Sequence, residues 1–293
     1  MKIAFIGLGA MGRPMGANLL KKGFDVQGYD ASPKALEAFV KAGGRVASDA
    51  AEAAAGADVM ILMVVNAAQA ESVLFASGAL DALPGNAIVC LTATCPPGAV
   101  EKIASRVVAT GRRFVDAPVS GGTAGAIGGT LTIMAAGEAP TFDAVRPVLE
   151  AIGQRIFHVG TAAGQGAMFK VVNQLLCGVH IAVVAEAFAL AAKAGVSLEL
   201  LLEIMSGSAA SSWMLKDRGP RMLESDPEVT SAVDIFVKDL GIVLDAGREQ
   251  KAALPIAAVA HQLFLAASGR GEGLADDSQV IRSYYAINEK RST

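Results

Sequence analysis

Residues 2–12 read Lys2-Ile3-Ala4-Phe5-Ile6-Gly7-Leu8-Gly9-Ala10-Met11-Gly12, and this stretch decides the fold. The apolar run Ile3–Ile6 has the length and composition of a buried strand. It ends in Gly7-x-Gly9-x-x-Gly12, and a helical pattern starts at once. Strand, glycines at this spacing and helix, in that order, are the arrangement that binds a dinucleotide. Gly7 permits the tight turn, Gly9 lets the backbone approach a pyrophosphate, and Gly12 lets the helix pack close to the strand. Leu8, Ala10 and Met11 complete the cofactor loop. The free N–H groups and positive dipole end of the helix then face the phosphates. A second apolar run, Phe24–Tyr29, ends in Asp30, at the place where a carboxylate accepts hydrogen bonds from a ribose 2′-hydroxyl. Ala31-Ser32-Pro33 follow, with no arginine beside the acid. A 2′-phosphate there would meet a like charge, so the expected cofactor is NAD rather than NADP; Lys34 is the nearby cation that could offset this. The competing reading is a glycine-rich turn in a doubly wound fold that has lost its ligand.

Outward from this unit, short apolar runs alternate with Ala-rich helical stretches. Strands are expected at Val46–Ser48, Asp58–Val65, Asn86–Leu91, Arg113–Asp116, Leu131–Ala135 and Ile156–Val159. Helices are expected at Pro33–Ala42, Asp49–Ala55, Ala67–Phe75, Pro97–Thr110 and Ala139–Ile152. That alternation implies βαβ units and a parallel sheet, with ligand loops at the carboxyl ends of the strands. Near Gly160–Gly166 the texture changes. Phe169–Ala194 is one long apolar-periodic segment, and helical stretches follow at Ser197–Ser206, Ser231–Gln250, Pro255–Ser268 and Ser278–Tyr285. The fold class is therefore α/β: a Rossmann-type parallel-sheet domain over 1–162, and an all-α domain over 163–293 entered through a long helix at about 167–194. Glu272-Gly273 and residues 289–293 read as mobile.

A chain of 293 residues, 53% hydrophobic and 18% charged, can bury a large core. Its net charge of −3 gives no basic footprint for nucleic acid. Three cysteines, Cys90, Cys95 and Cys177, without Cys-x-x-Cys spacing, argue against a disulfide framework and against zinc, and three histidines make a His-rich metal site unexpected. The chain starts directly with a strand, and no apolar stretch is free enough of charges and punctuation to read as a membrane span. A cytoplasmic enzyme is expected.

Three constellations could carry chemistry. Asp116-Ala117-Pro118-Val119-Ser120-Gly121-Gly122 sits at a strand end. The Ser120 hydroxyl and the Gly121 and Gly122 amides could form a nest for a carboxylate, with Gly125, Gly128 and Gly129 keeping the loop open; an ordinary Gly-rich turn is the alternative. Lys170 opens the long helix in apolar surroundings, with Asn173 and Gln174 on the same face. Such a lysine is costly unless paired or functional, and desolvation favours the neutral amine, which can accept a proton near neutral pH. The alternative is a lysine that snorkels at a helix start. Lys238 and Asp239 interrupt an apolar helix, where Asp239 could orient Lys170 or pair with Lys238, unless the two simply mark an exposed stripe. Val64, Val65 and Thr94 follow buried strands and should line the cofactor cleft. Cys95 has no activating neighbour. His158, His180 and His261 read as bystanders, and Trp213 either anchors helices or edges the pocket.

Taken in order, GLGAMGRPM, TATCPP, DAPVSGG, GxxxGxGxxxKxxNQ and FVKDL span essentially the whole chain and resemble the β-hydroxyacid dehydrogenases. That resemblance implies Lys170 as catalytic acid/base, Ser120, Gly121 and Gly122 on the substrate carboxylate, Asn173 at the substrate, and Lys238 by the cofactor; Asp239 is expected at the substrate site as support for the lysine. It also implies a homodimer or homotetramer. The family's usual KxxNN ends here in Asn173-Gln174. Val64–Gln69 replaces the Leu-Pro pair common in the 3-hydroxyisobutyrate enzymes, and Gln174–Ala182, Ser212–Met214, Ser231–Leu240 and Asp276–Ser278 look like the branch that oxidises L-threonate, a four-carbon sugar acid, at C2 with NAD; that branch often has His where this chain has Asn173. Siblings that act on 3-hydroxyisobutyrate, or on tartronate, glyoxylate or succinic semialdehyde, are the near alternatives. A non-catalytic NAD-binding scaffold is the distant one.

Overall fold

The computed structural model describes residues 1–288, so the expected mobile end at 289–293 lies outside the described residues. The chain divides into two compact units, Met1–Lys170 and Val171 onward. The division falls inside the long helix rather than ahead of it.

In the first unit β1 (Lys2–Ile6), α1 (Gly12–Lys21), β2 (Asp25–Tyr29), α2 (Pro33–Lys41), β3 (Arg45–Val46), α3 (Ala50–Ala54), β4 (Val59–Leu62), α4 (Ala67–Glu71), α5 (Ala79–Ala82), β5 (Ile88–Leu91), α6 (Pro97–Val108) and β6 (Arg113–Asp116) alternate. Then come β7 (Val119–Ser120), α7 (Gly122–Gly128), β8 (Leu131–Ala136), α8 (Ala139–Ile152), β9 (Gly153–Gly160) and the opening of α9 (Gln165–Lys193). The strands form one sheet in the order β3-β2-β1-β4-β5-β6-β8-β7, with β9 beside β8. From β3 to β6 all neighbours are parallel. β4 and β5 are buried at every position, as expected of parallel strands covered on both faces. Side chains alternate between two cores. Ala4, Ile6, Met60 and Leu62 face Val100, Ile103 and Val107 of α6. Ile3, Phe5, Val59 and Ile61 face Met15 and Leu19 of α1 and Phe142, Val145 and Leu149 of α8.

Two features depart from the sequence reading. β8 runs antiparallel to β6 and β7, so this edge of the sheet is mixed. The stretch after Ser120 is not an open loop but the helix α7. Its glycines are poor helix formers, yet Ala126 is fully buried in the core and the Ala126 carbonyl accepts a 2.8 Å bond from the Asn18 amide of α1. Tertiary packing overrides propensity there.

In the second unit α9 continues into α10 (Leu198–Gly207), α11 (Trp213–Met222), α12 (Val233–Glu249), α13 (Pro255–Ala267), a 3₁₀ turn at Asp277–Val280 and α14 (Ile281–Asn288). Among the described residues its β contact is one bridge, Ala232 to Asp276. Ile181, Ala185 and Phe188 bury one face of α9. Between Lys170 and Lys193 the helix carries a single formal charge, Glu186. By length and composition it could cross a membrane, which corrects the expectation that no stretch would. Its buried face and the buried polar Lys170 and Gln174 fit a core helix instead. Glu272 is not loose: it pairs with Arg270 at 2.7 Å and Arg282 at 3.4 Å.

Candidate active site

The glycine loop follows from sterics. Gly7 has φ +95°, and a β-carbon there would run into the Met63 carbonyl. A β-carbon on Gly12 would collide with the Gly7 carbonyl, whereas one on Gly9 would meet nothing within 4 Å. The open side is where a phosphate must approach, so the residues present fit a dinucleotide. Leu8 is buried, while Gly9 and Ala10 are exposed. At the end of β2, Asp30 accepts from the Leu8 N–H at 2.7 Å and the Ser32 N–H at 2.8 Å, one on each oxygen. A carboxylate has about four acceptor sites, so each oxygen retains capacity for a ribose hydroxyl. Val64 and Val65 follow β4, where Val65 N–H is tied to Gln69 at 2.9 Å. Thr94 follows β5. The structure thus gathers Gly7–Gly12, Asp30, Val64, Val65 and Thr94 at the carboxyl ends of β1, β2, β4 and β5, neighbours in the sheet.

Next in the sheet, β6 leads through Ala117-Pro118 to Ser120 on β7, which pairs with Thr132 of β8. Gly121 and Gly122 have φ of +131° and +60° and open α7. The first N–H groups of that helix have no intrahelical acceptor, so the segment can present amides beside a hydroxyl to an anion.

Lys170 lies in the second turn of α9 and is only 7% exposed. The entry of that helix is held by Asp116, whose Oδ2 accepts from the Gly164 N–H at 3.0 Å and the Ala167 N–H at 2.8 Å. Burial pushes the Asp116 carboxyl up to about 6, against the downward pull of the Ala167, Gly164 and Gly166 amides. Asp116 stands outside the residues expected from the sequence to act, although a carboxylate closing the strand Arg-Phe-Val-Asp is a signal for such a contact. Cys90 on β5 is fully buried, and that burial pushes its thiol up to about 12, with the charge of Asp116 adding to it.

In the second unit the Asn173 amide donates to Gln174 Oε1 at 2.8 Å and to Cys177 Sγ at 3.3 Å. Gln174 Nε2 donates to Asp239 Oδ2 at 2.5 Å, and Lys238 Nζ lies 2.7 Å from Asp239 Oδ1. Of the two partners open to Asp239, Lys238 is thus observed. Gln174 is the residue the sequence left without a role: it links Asn173 to the buried Asp239. His158 stacks on Phe142 with centroids 4.4 Å apart and bonds the Gly137 carbonyl at 2.8 Å. His261 contacts the Val237 carbonyl at 3.1 Å. Both are packing residues. Cys95 is buried, and Trp213 is half exposed with Arg218 6.0 Å from its ring centre.

Comparisons with known proteins show the family and the fold. Residues 2–160 match the NAD binding domain of 6-phosphogluconate dehydrogenase, and residues 164–284 match the NAD-binding domain of NADP-dependent 3-hydroxyisobutyrate dehydrogenase. An L-threonate dehydrogenase of Cupriavidus necator is 45% identical over 97% of this chain and 96% of its own length. A 3-hydroxyisobutyrate dehydrogenase of Pseudomonas aeruginosa is 36% identical over 96% of this chain and 98% of its own. The crystal structure of a 3-hydroxyisobutyrate dehydrogenase from Salmonella typhimurium superposes with a TM-score of 0.91 at 36% identity, covering 96% of this chain and 99% of that one. On matches of this breadth, the protein belongs to the β-hydroxyacid dehydrogenase family, enzymes that move hydride between a hydroxy acid and a nicotinamide cofactor.

Proposed function

We propose that this enzyme oxidises L-threonate at C2 to 2-dehydro-L-erythronate with NAD. The observation that carries the substrate is similarity to five L-threonate dehydrogenases, 37% to 45% identical over nearly the full chain. Lys170 takes the proton of the C2 hydroxyl. Ser120 and the Gly121 and Gly122 amides hold the C1 carboxylate, Asn173 holds the reacting oxygen, and Asp239 fixes the amide chain behind it. Lys238 serves the cofactor side. When bound, the cofactor supplies the acceptor for the C2 hydride. Asp30 favours NAD, because its carboxylate opposes a 2′-phosphate.

The test is initial rates of nicotinamide reduction with L-threonate, D-threonate, D-erythronate, 3-hydroxyisobutyrate and D-glycerate, each with NAD and with NADP. The expected result is the highest kcat/KM for L-threonate with NAD. Preference for 3-hydroxyisobutyrate or glycerate would overturn the substrate, and preference for NADP would overturn the role of Asp30. NAD binding without turnover on any acid would favour a scaffold.

The active form is proposed to be a homo-oligomer. Val172, Leu176, Val183 and Leu190 make an apolar stripe along α9, each about half exposed or more. A helix apolar on both faces calls for a partner on the second. Sedimentation should return a mass above that of one chain; a single-chain mass at assay concentration would contradict this.

A further inference from the structure

We propose that Asp116 is a positioning residue for the reaction, fixing the first turn of α9, one turn ahead of Lys170, to the strand segment that leads to Ser120. The inference rests on the assignment of Lys170 and Ser120 above. All of its geometry lies within the first unit.

Helix starts are usually capped by a local Ser, Thr, Asp or Asn. Here the cap is a carboxylate 48 and 51 residues away from the amides it receives. Asp116 is 1% exposed, and its Oδ1 has no hydrogen-bond partner. Burying a carboxylate so incompletely satisfied is expensive, whereas a local cap would serve the helix without that cost. What the distant cap adds is registration between two segments. Upstream of the helix face, Ala167 is capped directly, and Lys170 follows one turn later. Downstream along the strand, Ser120 follows Asp116 by four residues, held by pairing of β7 with β8. The same contact is enforced sterically. A β-carbon on Gly166 would approach the Met134 carbonyl to 2.5 Å and the Asp116 carbonyl to 2.8 Å. The turn therefore lies directly on Asp116 at the end of β6 and on Met134 within β8. Only about 1 Å of misplacement at a reacting group can cost about 10²-fold in rate, so a rigid link between base and carboxylate nest has a kinetic consequence.

The experiment compares Asp116→Ala, Asp116→Asn and Gly166→Ala in the full-length enzyme, with Lys170→Ala as reference. Asp116→Ala should lower kcat by about 10²-fold with NAD affinity unchanged. Asp116→Asn keeps an acceptor for the two amides and should recover much of that loss. Gly166→Ala pushes the same turn off the strands with Asp116 intact and should lower kcat in the same selective way. Hydrogen exchange supplies the readout independent of turnover: the Gly164 and Ala167 amides should lose protection in Asp116→Ala while β1 and β4 keep theirs. Unchanged kcat in Asp116→Ala, with Lys170→Ala inactive, would overturn the proposal. So would a loss of protection spread over the whole sheet, or an Asp116→Asn variant no better than Asp116→Ala. Near-full activity of Lys170→Ala would instead overturn the assignment of the base on which the proposal stands.

Discussion

Lys170→Ala should lose about 10² to 10⁴ in kcat, the usual cost of removing a general base, with NAD affinity unchanged. The expectation follows from where the lysine sits. It is buried near the start of a helix whose entry is fixed by two backbone bonds to Asp116. Oxidation of an alcohol requires that some group take the hydroxyl proton as hydride leaves. Lys170→Arg separates the two properties of the side chain. Arginine retains the charge but does not give up its proton in proteins, so it should be as inactive as alanine. Steady-state kcat and a separate NAD titration check this; an arginine variant with near wild-type kcat would mean that Lys170 supplies charge and not a proton acceptor.

Asp277→Ala should destabilise the second unit by about 1–3 kcal/mol, the cost of leaving buried donors of Arg218 unsatisfied, since Arg218 keeps its pairing with Asp217. Arg218 grips Asp277 with two bonds, Nε to Oδ1 at 2.9 Å and Nη2 to Oδ2 at 2.8 Å. Neighbouring Arg221 bonds Asp276 at 3.1 Å, and Asp276 also receives the Thr230 N–H at 3.0 Å. Arg218 is 6% exposed and Asp277 fully buried. Burial pushes the Asp277 carboxyl up, while the Arg218 charge and bonds pull it down. The pair itself is thus no large net stabiliser; the penalty comes from breaking it. A double variant, Arg218→Met with Asp277→Leu, should recover most of the loss. Urea unfolding monitored by circular dichroism measures both. A single variant within about 0.5 kcal/mol of wild type, the range of ordinary surface changes, would show that this network does not hold α11 in place.

The sequence carried the parts of the fold that are local. The run Ile3–Ile6, the glycine loop and Asp30 were legible because each residue's role follows from its immediate neighbours. Arg113–Asp116 and Ala139–Ile152 agree to the residue. Helix α11 was not legible, since Trp213–Met222 contains Gly219 and Pro220 and shows no apolar stripe. It is held by the Ser212 cap and by acids more than fifty residues further on. Helix α7 was missed because packing on Asn18 and the core outweighs its glycines.

The candidate site divides in the same way. Lys170, Ser120 and Asn173 stood out by residue type and spacing. The contacts of Asp116 with the entry of α9, and of Gln174 with Asp239 across 65 residues, depend on tertiary pairing that no local pattern records.

The most direct measurement of the central claim is the fate of the hydrogen on C2. L-Threonate carrying deuterium at C2 would be turned over with NAD and wild-type enzyme, and both products analysed by mass spectrometry. The expected result is one deuterium on the reduced nicotinamide and a ketone at C2 of the acid. Deuterium retained in the acid, or oxidation at another carbon, would contradict the account.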